Sequence, residues 1–465
     1  MMGINNSALL MVLSLLLIGC GGGGSSTPGT SQPAPPPPPT IPPPVVVNGT
    51  VQVVNTAIDS PNINIVIADE NLITELEYAD ASTVLSVPPK TYQASVNAIL
   101  PGDNNTLSIL EPVDLTVAEA KRYTVFTVGK VADASLSALI VPGQLGGIPL
   151  NKIRLQLVHA AASAPEVSVH VTVPGAELAT PEATFSFKGY SKPIILDPAN
   201  YQVRITLTDN QTVLFDSASL DYTAVGTDLV LAAIDSQFSG ASPVSLLAVA
   251  QDGSQKNIFD VNANASIRIV HNASDAEPFE IKTSSDTSLG NVISFTEFSD
   301  YLQVVPKTYE VSIILDSSST NSITVAAGQY YSLLASGSVN ESDDAAIEAL
   351  IYTDKSRRIA TEAQLRIIHG STLSGNVDIY ITANGDISQA TANFSNVAYK
   401  TDVGYMSLPA GDYVITVTKA AEKTVVIETA VSLTTNRIYT AITRDGENLD
   451  STMLGLIKID DFVVE

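Results

Sequence analysis

The sequence carries at residues 267–283 the stretch IRIVHNASDAEPFEIKT, in which a short apolar strand ends at a histidine and leads into a polar loop. Three other segments open in the same way: VQVVNTAIDSPNINIVI at 51–67, IRLQLVHAAASAPEVSVHV at 153–171 and LRIIHGSTLSGNVDIYI at 365–381. The strand-ending position is occupied in turn by Asn55, His159, His271 and His369. Recurrence at a steady period indicates tandem copies of one structural unit.

Further landmarks follow each opening in the same order. A turn leads into a tyrosine in PPKTY, DPANY, VPKTY and PAGDY, which end at Tyr92, Tyr201, Tyr309 and Tyr413. A later strand is centred on Tyr123, Leu229, Tyr331 and Tyr439. The spacing predicts four domains, with boundaries at 49–151, 152–262, 263–362 and 363–465.

The apolar pattern within each unit has the period of a β-strand. Val167, Val169 and Val171 alternate with polar residues, so we expect His170 to face solvent. Turn residues recur at short intervals, and helical periodicity is not sustained. These features predict an all-β fold of four tandem antiparallel β-sandwich domains, immunoglobulin-like or transthyretin-like in topology.

The opening motif resembles the bacterial family catalogued as domain of unknown function 4397. That family's units begin with Arg-Leu-Val-His-Ala-Ser-Pro-Asp-Ala-Pro and continue into a strand like VDIYI at 377–381. The resemblance spans 49–465 and is weakest in the first copy, where Gln52 and Asn55 replace the arginine and histidine. It implies a β-sandwich domain repeated in secreted and surface-anchored bacterial proteins, and it brings no established activity.

The N-terminus predicts export and lipid attachment. An apolar run, ALLMVLSLLLI at 8–18, is too short to span a bilayer and leads into Gly19-Cys20, which resembles a bacterial lipobox. We expect cleavage of a signal peptide at 1–19 and lipid on Cys20, although no Lys or Arg precedes the run as signal peptides usually require.

A tether is predicted between the lipid and the first domain. Residues 20–48 contain a run of glycines followed by ten prolines at 28–44, a composition that favours extended polyproline II. Because Gly21 is not the aspartate of an inner-membrane retention signal, we expect the cell envelope, and within it the outer membrane, as the location.

Charge and cysteine content exclude several classes of function. The chain of 465 residues has 48 acidic and 23 basic side chains, a net charge of −25, which excludes nucleic acid as a partner. Its single cysteine excludes an intrachain disulfide, and its use for lipid excludes a thiol nucleophile. No motif of a known enzyme class is present.

The repeated histidines invite two interpretations. A histidine near Asp275 fits a metal ligand or a general base, whereas a histidine that closes its strand by a hydrogen bond has a structural role. Each unit supplies one such histidine and a zinc site needs three or four ligands, so we expect the structural role. The turn tyrosines are expected to act as tyrosine corners. The acidic loops at 445–450 and 460–461 are expected to be solvated.

These observations predict a non-catalytic, lipid-anchored cell-envelope protein that serves as a surface scaffold, adhesion or binding module. Its domains are expected to be strung outward from the stalk. We expect no catalytic residue, metal or cofactor; the expected partners are the membrane, through the lipid, and a protein or carbohydrate ligand. The alternative is a metal-dependent binder or hydrolase with a site at a domain junction, built from the repeated histidines with Asp275 or Asp378.

Overall fold

The computed structural model describes residues 47–68, 70–102, 105–178, 180–285, 287–313, 320–341 and 345–462. The predicted signal peptide, Cys20 and nearly all of the tether lie outside these residues. Within the described part of the chain, no helix is long and apolar enough to cross a membrane.

Each repeat folds into two sheets that face each other. The strands of the first repeat are β1 (Gly49–Asn55), β2 (Ile63–Ile67), β3 (Glu70–Leu76), β4 (Leu85–Val87), β5 (Lys90–Ile99), β6 (Thr106–Val117), β7 (Lys121–Val128) and β8 (Ser137–Gln144). One sheet has the order β4–β1–β7–β8 and the other the order β3–β2–β5–β6.

The second repeat has the same plan with an added edge strand. Its strands are β9 (Ile153–His159), β10 (Val167–Thr172), β11 (Ala183–Phe185), β12 (Ile194–Leu196), β13 (Ala199–Leu207), β14 (Val213–Tyr222), β15 (Asp228–Asp235), β16 (Val244–Ala250) and β17 (Gln255–Ile258). The sheets are ordered β12–β9–β15–β16–β17 and β11–β10–β13–β14.

The third repeat is the shortest of the four. Its strands are β18 (Ala265–Asn272), β19 (Ile281–Thr283), β20 (Leu302–Val304), β21 (Lys307–Ile313), β22 (Thr320–Val325), β23 (Tyr330–Ser336) and β24 (Glu348–Asp354). They form the sheets β20–β18–β23–β24 and β19–β21–β22.

The fourth repeat is the last of the four in sequence order. Its strands are β25 (Ala363–His369), β26 (Val377–Thr382), β27 (Phe394–Val397), β28 (Asp402–Leu408), β29 (Gly411–Lys419), β30 (Val425–Leu433), β31 (Arg437–Gly446) and β32 (Asp450–Asp460), with a short 3-10 helix at Glu447–Leu449. The sheets are ordered β28–β25–β31–β32 and β27–β26–β29–β30.

The predicted all-β class with several β-sandwich units is confirmed. One feature common to all four repeats was not predicted: the opening strand pairs in parallel with the strand of the later tyrosine landmark. These pairs are β1–β7, β9–β15, β18–β23 and β25–β31. We call the sheet that contains this pair the mixed sheet and its partner the outer sheet.

A hydrophobic core fills the space between the two sheets of each repeat. In the third repeat, Ile267 and Ile269 of the mixed sheet share a buried cluster with Ile281 and Val311 of the outer sheet. The same residue spacing builds the corresponding cores of the other repeats. Alternation along each strand therefore supplies the apolar face that the fold requires.

The mixed sheets are buried on their second face as well, because the repeats pack in pairs. Val54 of the first repeat shares a cluster with Val158 and Val230 of the second. Val270 of the third repeat likewise shares a cluster with Ile368 of the fourth. Residues 46–465 form one compact unit. The expectation that the domains are strung outward is therefore wrong.

The expected exposure of His170 is also wrong. Its side chain is buried and its Nε2 lies 3.2 Å from the Thr206 hydroxyl of the neighbouring strand. The loop after β10 folds back over this face of the outer sheet, where Arg204 donates to the carbonyl of Ala176 at 2.7 Å. A polar residue in an alternating strand can therefore be covered by a loop that the alternation does not reveal.

Candidate functional site

The three repeated histidines are fully buried at the ends of their strands. Nε2 of each donates to the carbonyl six residues later in the chain: His159 to Pro165 at 2.9 Å, His271 to Glu277 at 3.4 Å and His369 to Gly375 at 2.8 Å. In the first repeat, Nδ2 of Asn55 instead donates to the Ser60 hydroxyl and the Leu76 carbonyl. Each side chain thereby joins its strand to neighbouring loop segments of its own repeat.

Burial also fixes the charge of these histidines. Desolvation lowers the pKa of all three, that of His271 to about 4. Each ring is therefore neutral near pH 7. The histidines stay in separate repeats, and among the described residues no three His, Cys, Asp or Glu side chains form a group suited to a metal ion.

The turn tyrosines have the geometry of tyrosine corners. Each hydroxyl donates to the carbonyl four residues earlier: Tyr92 to Pro88, Tyr201 to Asp197 and Tyr309 to Val305 at 2.8 Å, and Tyr413 to Pro409 at 2.9 Å. The later landmark tyrosines use their hydroxyls differently. Those of Tyr123, Tyr331 and Tyr439 accept from the backbone N–H five residues earlier.

Asp275 and Asp378, the carboxylates named in the alternative interpretation, hold loops of their own repeats. Asp275 accepts from the Ser338 hydroxyl at 2.6 Å and from the Val339 N–H at 3.2 Å. Asp378 accepts from the backbone N–H groups of Asn396 and Ala421 at 2.7 and 3.0 Å. Their oxygens are thus directed at backbone and side-chain donors within one repeat.

Two acidic residues expected to be solvated are instead buried or nearly so. Asp445 is buried and accepts hydrogen bonds from the Ser371 and Thr372 hydroxyls. Asp460 accepts from the Thr440 hydroxyl at 2.6 Å and pairs with Arg268 of the third repeat. Both take up positions between strands because charged hydrogen bonds offset their loss of hydration.

The interface between the third and fourth repeats contains a buried ionic network. Arg366 of the fourth repeat is fully buried and pairs with Asp354 of the third at 2.5 Å and with Asp402 at 2.6 Å. Arg268 of the third repeat pairs with Asp354 at 3.3 Å and with Asp460 of the fourth. Each repeat therefore supplies an arginine to a carboxylate of the other.

The first pair of repeats has glutamine at the two corresponding positions. Gln156 donates to the Pro142 carbonyl of the first repeat at 3.1 Å, and Gln52 donates to the Ser82 carbonyl at 3.2 Å. The ion pairs of this interface lie at other positions. Asp228 of the second repeat pairs with Arg154 at 2.5 Å and with Arg122 of the first repeat at 3.1 Å.

Residues from all four repeats line a cavity of about 690 Å³, which we call the junction cavity. This volume is within the range typical of small-molecule sites. Its lining includes Asn62, Glu77 and Tyr78 of the first repeat, Gln237 and Phe238 of the second, Gln329, Tyr330, Lys355, Arg357 and Glu362 of the third, and Gln364 and Ser407 of the fourth.

The segment that follows β24 forms one wall of the junction cavity and binds the first two repeats. Nη1 of Arg357 donates to the carbonyls of Ile58 and Ser60 at 3.2 and 2.7 Å, and its guanidinium lies 5.3 Å from the centre of the Tyr78 ring. The Ser356 hydroxyl donates to the Gln237 carbonyl at 2.8 Å.

Another wall carries two buried polar side chains at the start of the fourth repeat. Burial raises the pKa of the Glu362 carboxyl, which accepts from the Ser407 hydroxyl at 2.6 Å. Gln364 is only 4% exposed, and its Oε1 has no hydrogen-bond partner. An unpartnered buried acceptor is costly, so its position in a cavity wall is informative.

The repeat pattern of the sequence does not indicate the junction cavity. Most of its lining residues lie outside the landmarks, because the cavity forms where loops and linkers of different repeats meet. The available signal was the cluster of Lys355, Arg357 and Arg358 in the linker, which is unusual in a chain with only 23 basic residues.

No curated protein matches the chain. Among solved structures, it is similar to the Bacillus anthracis TIE protein at 10% identity and a TM-score of 0.15, over 82% of this chain and 65% of that one. It is also similar to a multi-modular glycogen-degrading pneumococcal virulence factor, SpuA, in a product complex, at 10% identity and a TM-score of 0.15, over 82% of this chain and 37% of that one. The chain thus spans less than two thirds of either structure.

Comparison with family models gives a clear result. The model described as domain of unknown function (DUF4397) matches residues 49–170, 265–380 and 381–463, which together are well over half of the chain. These matches contain all four opening strands, β1, β9, β18 and β25, and the tandem organisation agrees with them. The chain belongs to the DUF4397 family.

Proposed function

We propose that the protein is a non-catalytic, lipid-anchored binding protein of the cell envelope, and that its ligand site is the junction cavity. One observation supports this proposal above the others. The repeated histidines, Asp275 and Asp378 are hydrogen-bonded within their own repeats, whereas the junction cavity gathers polar side chains from all four repeats.

The packing of the repeats suits a binding role. A site made from four repeats keeps its shape only if the repeats are held together, and both pair interfaces contain buried apolar and ionic contacts. Such a site is preorganised, which lowers the entropic cost of binding. The same rigidity serves a protein that presents its site at the end of a tether.

The anchor can be tested by mass spectrometry of the mature N-terminus, with metabolic labelling by a fatty acid. We expect acylated Cys20 in the native chain and no label in a Cys20→Ser variant, which should leave the membrane fraction. A native chain that begins at Met1 without lipid would refute the anchor.

The metal-dependent alternative is tested separately. Purified protein should hold no stoichiometric metal, and its melting temperature should be the same with and without a chelator. A bound metal that is lost in a His271→Asn variant, which carries the residue found at Asn55 in the first repeat, would favour the alternative.

A further inference from the structure

The buried charged groups in the walls of the junction cavity have hydrogen-bond or ion-pair partners within the protein. Asp354 is paired with Arg268 and Arg366, and Glu362 accepts from the Ser407 hydroxyl. Arg357 donates to two backbone carbonyls. The buried walls therefore carry charges of both signs, Asp354 and Glu362 against Arg357, and their hydrogen bonds are formed within the protein, so they present no single counter-charge to a strongly charged ligand.

The charges that remain free are exposed and of opposite sign. Glu77 and Lys355 line the cavity and are accessible to solvent, where water and salt screen them. The net charge of −25 on the whole chain also opposes the entry of an anion. Together these features favour a ligand without net charge.

The side chains that line the cavity favour a ligand rich in hydrogen-bonding groups. Oε1 of Gln364 is a buried acceptor without a donor, and the amide side chains of Asn62, Gln237 and Gln329 also line the cavity. An amide offers a donor and an acceptor in one plane, a match for adjacent hydroxyl groups. A hydroxyl on the ligand would supply the donor that Gln364 lacks.

Two half-buried aromatic rings add apolar surface to the same cavity. Tyr330 packs edge-on against Tyr301 with ring centres 5.3 Å apart, and Phe238 packs against Phe259 at 5.5 Å. Each ring is thus fixed in position while part of its surface lines the cavity. Fixed rings beside planar amides suit a molecule with apolar C–H faces and polar edges.

We infer that the junction cavity binds an uncharged oligosaccharide, with Gln364 and Gln329 bonding its hydroxyls and Tyr330 and Phe238 packing against its ring faces. This inference rests on the proposed binding function and names the class of ligand. A volume of about 690 Å³ accommodates a few sugar rings, not a folded partner.

The test is titration calorimetry on the full chain in detergent with defined probes. The uncharged probes are cellotetraose, maltotetraose and chitotetraose; the comparison probes are tetragalacturonate, which is acidic, and tetraglycine, a peptide. We expect saturable binding of at least one uncharged tetrasaccharide. Gln364→Leu and Gln329→Ala should each weaken it at least about tenfold, the loss expected of a bidentate polar contact.

Gln211→Ala is the matched control, because Gln211 lies in an exposed turn of the second repeat and does not line the cavity. The Gln211→Ala variant should bind the tetrasaccharide with the same affinity as the native chain. Thermal unfolding is measured for every variant to verify that it is folded. If tetragalacturonate or tetraglycine alone bound, and Gln329→Ala weakened that binding, the inference of an uncharged oligosaccharide would be overturned but the binding function would stand. Absence of binding by all probes, or binding unaffected by both cavity variants, would overturn the inference, while the anchor experiment decides the proposed location independently.

Discussion

A single residue position distinguishes the two pairs of repeats. Three residues before the strand-ending Asn or His, the second pair has Arg268 and Arg366 and the first pair has Gln52 and Gln156. A buried glutamine needs only neutral hydrogen-bond partners, whereas a buried arginine requires carboxylates. The carboxylates that meet this need, Asp354 and Asp460, end β24 and β32 in equivalent places.

This network makes Asp354 a sensitive residue. An Asp354→Ala variant would leave Arg268 and Arg366 with one carboxylate fewer in a buried interface, so we expect the free energy of unfolding to fall by about 3–5 kcal/mol. Urea denaturation measures the change. As a control, Lys152→Ala removes an ion pair with Asp197 that is exposed, and should cost about 0–1 kcal/mol. An equal fall in the free energy of unfolding for the two variants would contradict the expectation that the buried network contributes more than the exposed ion pair.

The buried His271 predicts a specific dependence of stability on pH. Its pKa is about 4 in the folded protein, below the ordinary value of 6.5, so the unfolded chain binds more protons between these values. The stabilisation is complete above pH 6.5 and is lost as the pH falls towards 4, by on the order of 3 kcal/mol for this one group.

The measurement is urea denaturation at pH 7 and at pH 4.5 for the native chain and for His271→Asn. Carboxylates contribute equally to both proteins, so the comparison isolates the histidine. We expect a smaller loss of stability on acidification in the variant. An identical loss in the two proteins would show that His271 is not the group responsible.

At the scale of elements, the sequence predicted the strands and their core faces but not their second buried face. The apolar pattern of IRIVH at 267–271 predicts a strand, and both faces of β18 are buried. The signal was present, since Val270, on the face opposite Ile269, is apolar as well, and near-continuous apolar runs are typical of strands covered on both sides. The repeat that covers this face is determined by contacts between residues distant in the sequence. The periodicity of a single strand gives no information about such contacts.

The burial of the second face of the mixed sheet can be tested by placing a charged side chain on that face. Val54 is fully buried between the mixed sheets of the first pair, so Val54→Asp would place a carboxylate there without a counter-ion. We expect a loss of about 4 kcal/mol or more in the free energy of unfolding, measured by urea denaturation. Leu107→Asp is the control, because Leu107 lies in the outer sheet at 49% exposure and should be nearly neutral. Similar losses for both would argue against the paired arrangement.

At the scale of the molecule, the four repeats form two related pairs. Asp59 and Asp275, in the first and third repeats, follow the opening strand and accept from the backbone N–H of Val131 and Val339. In the second and fourth repeats, the aspartate that accepts from a loop N–H lies instead at the far end of the parallel partner strand. Asp235 accepts from the N–H of Ser163, and Asp445 accepts from the N–H of Leu373. This alternation indicates that a pair of repeats, and not a single one, is the unit that recurs.

The landmarks predicted four copies, but they contained no signal for the junction cavity. Landmarks recur because they build the same sandwich each time, whereas the segment 355–362 leads from the third repeat to the fourth and packs against the first and second. A contact made once leaves no periodic pattern. The candidate site was therefore the part of the molecule least accessible to sequence reasoning.

Within the segment 355–362, Arg357 connects the two pairs of repeats. Its guanidinium donates to the carbonyls of Ile58 and Ser60, and nearby the N–H of Ala360 donates to the Asp59 carbonyl at 2.8 Å. In Arg357→Ala we expect amide hydrogen exchange at Ala360 to become roughly tenfold faster, since hydrogen bonds to a charged donor contribute about 1.5–3 kcal/mol.

Exchange in the pair interfaces should be unchanged by Arg357→Ala, because the buried clusters around Val54 and Ile368 do not depend on this contact. Arg437→Ala is the matched control: it removes an arginine that pairs with the Asp461 carboxylate and whose side chain is 55% exposed. If both variants left the exchange of Ala360 unchanged, the connection between the pairs would have to reside in other contacts, and the fixed geometry required by a four-repeat binding site would lose its main support.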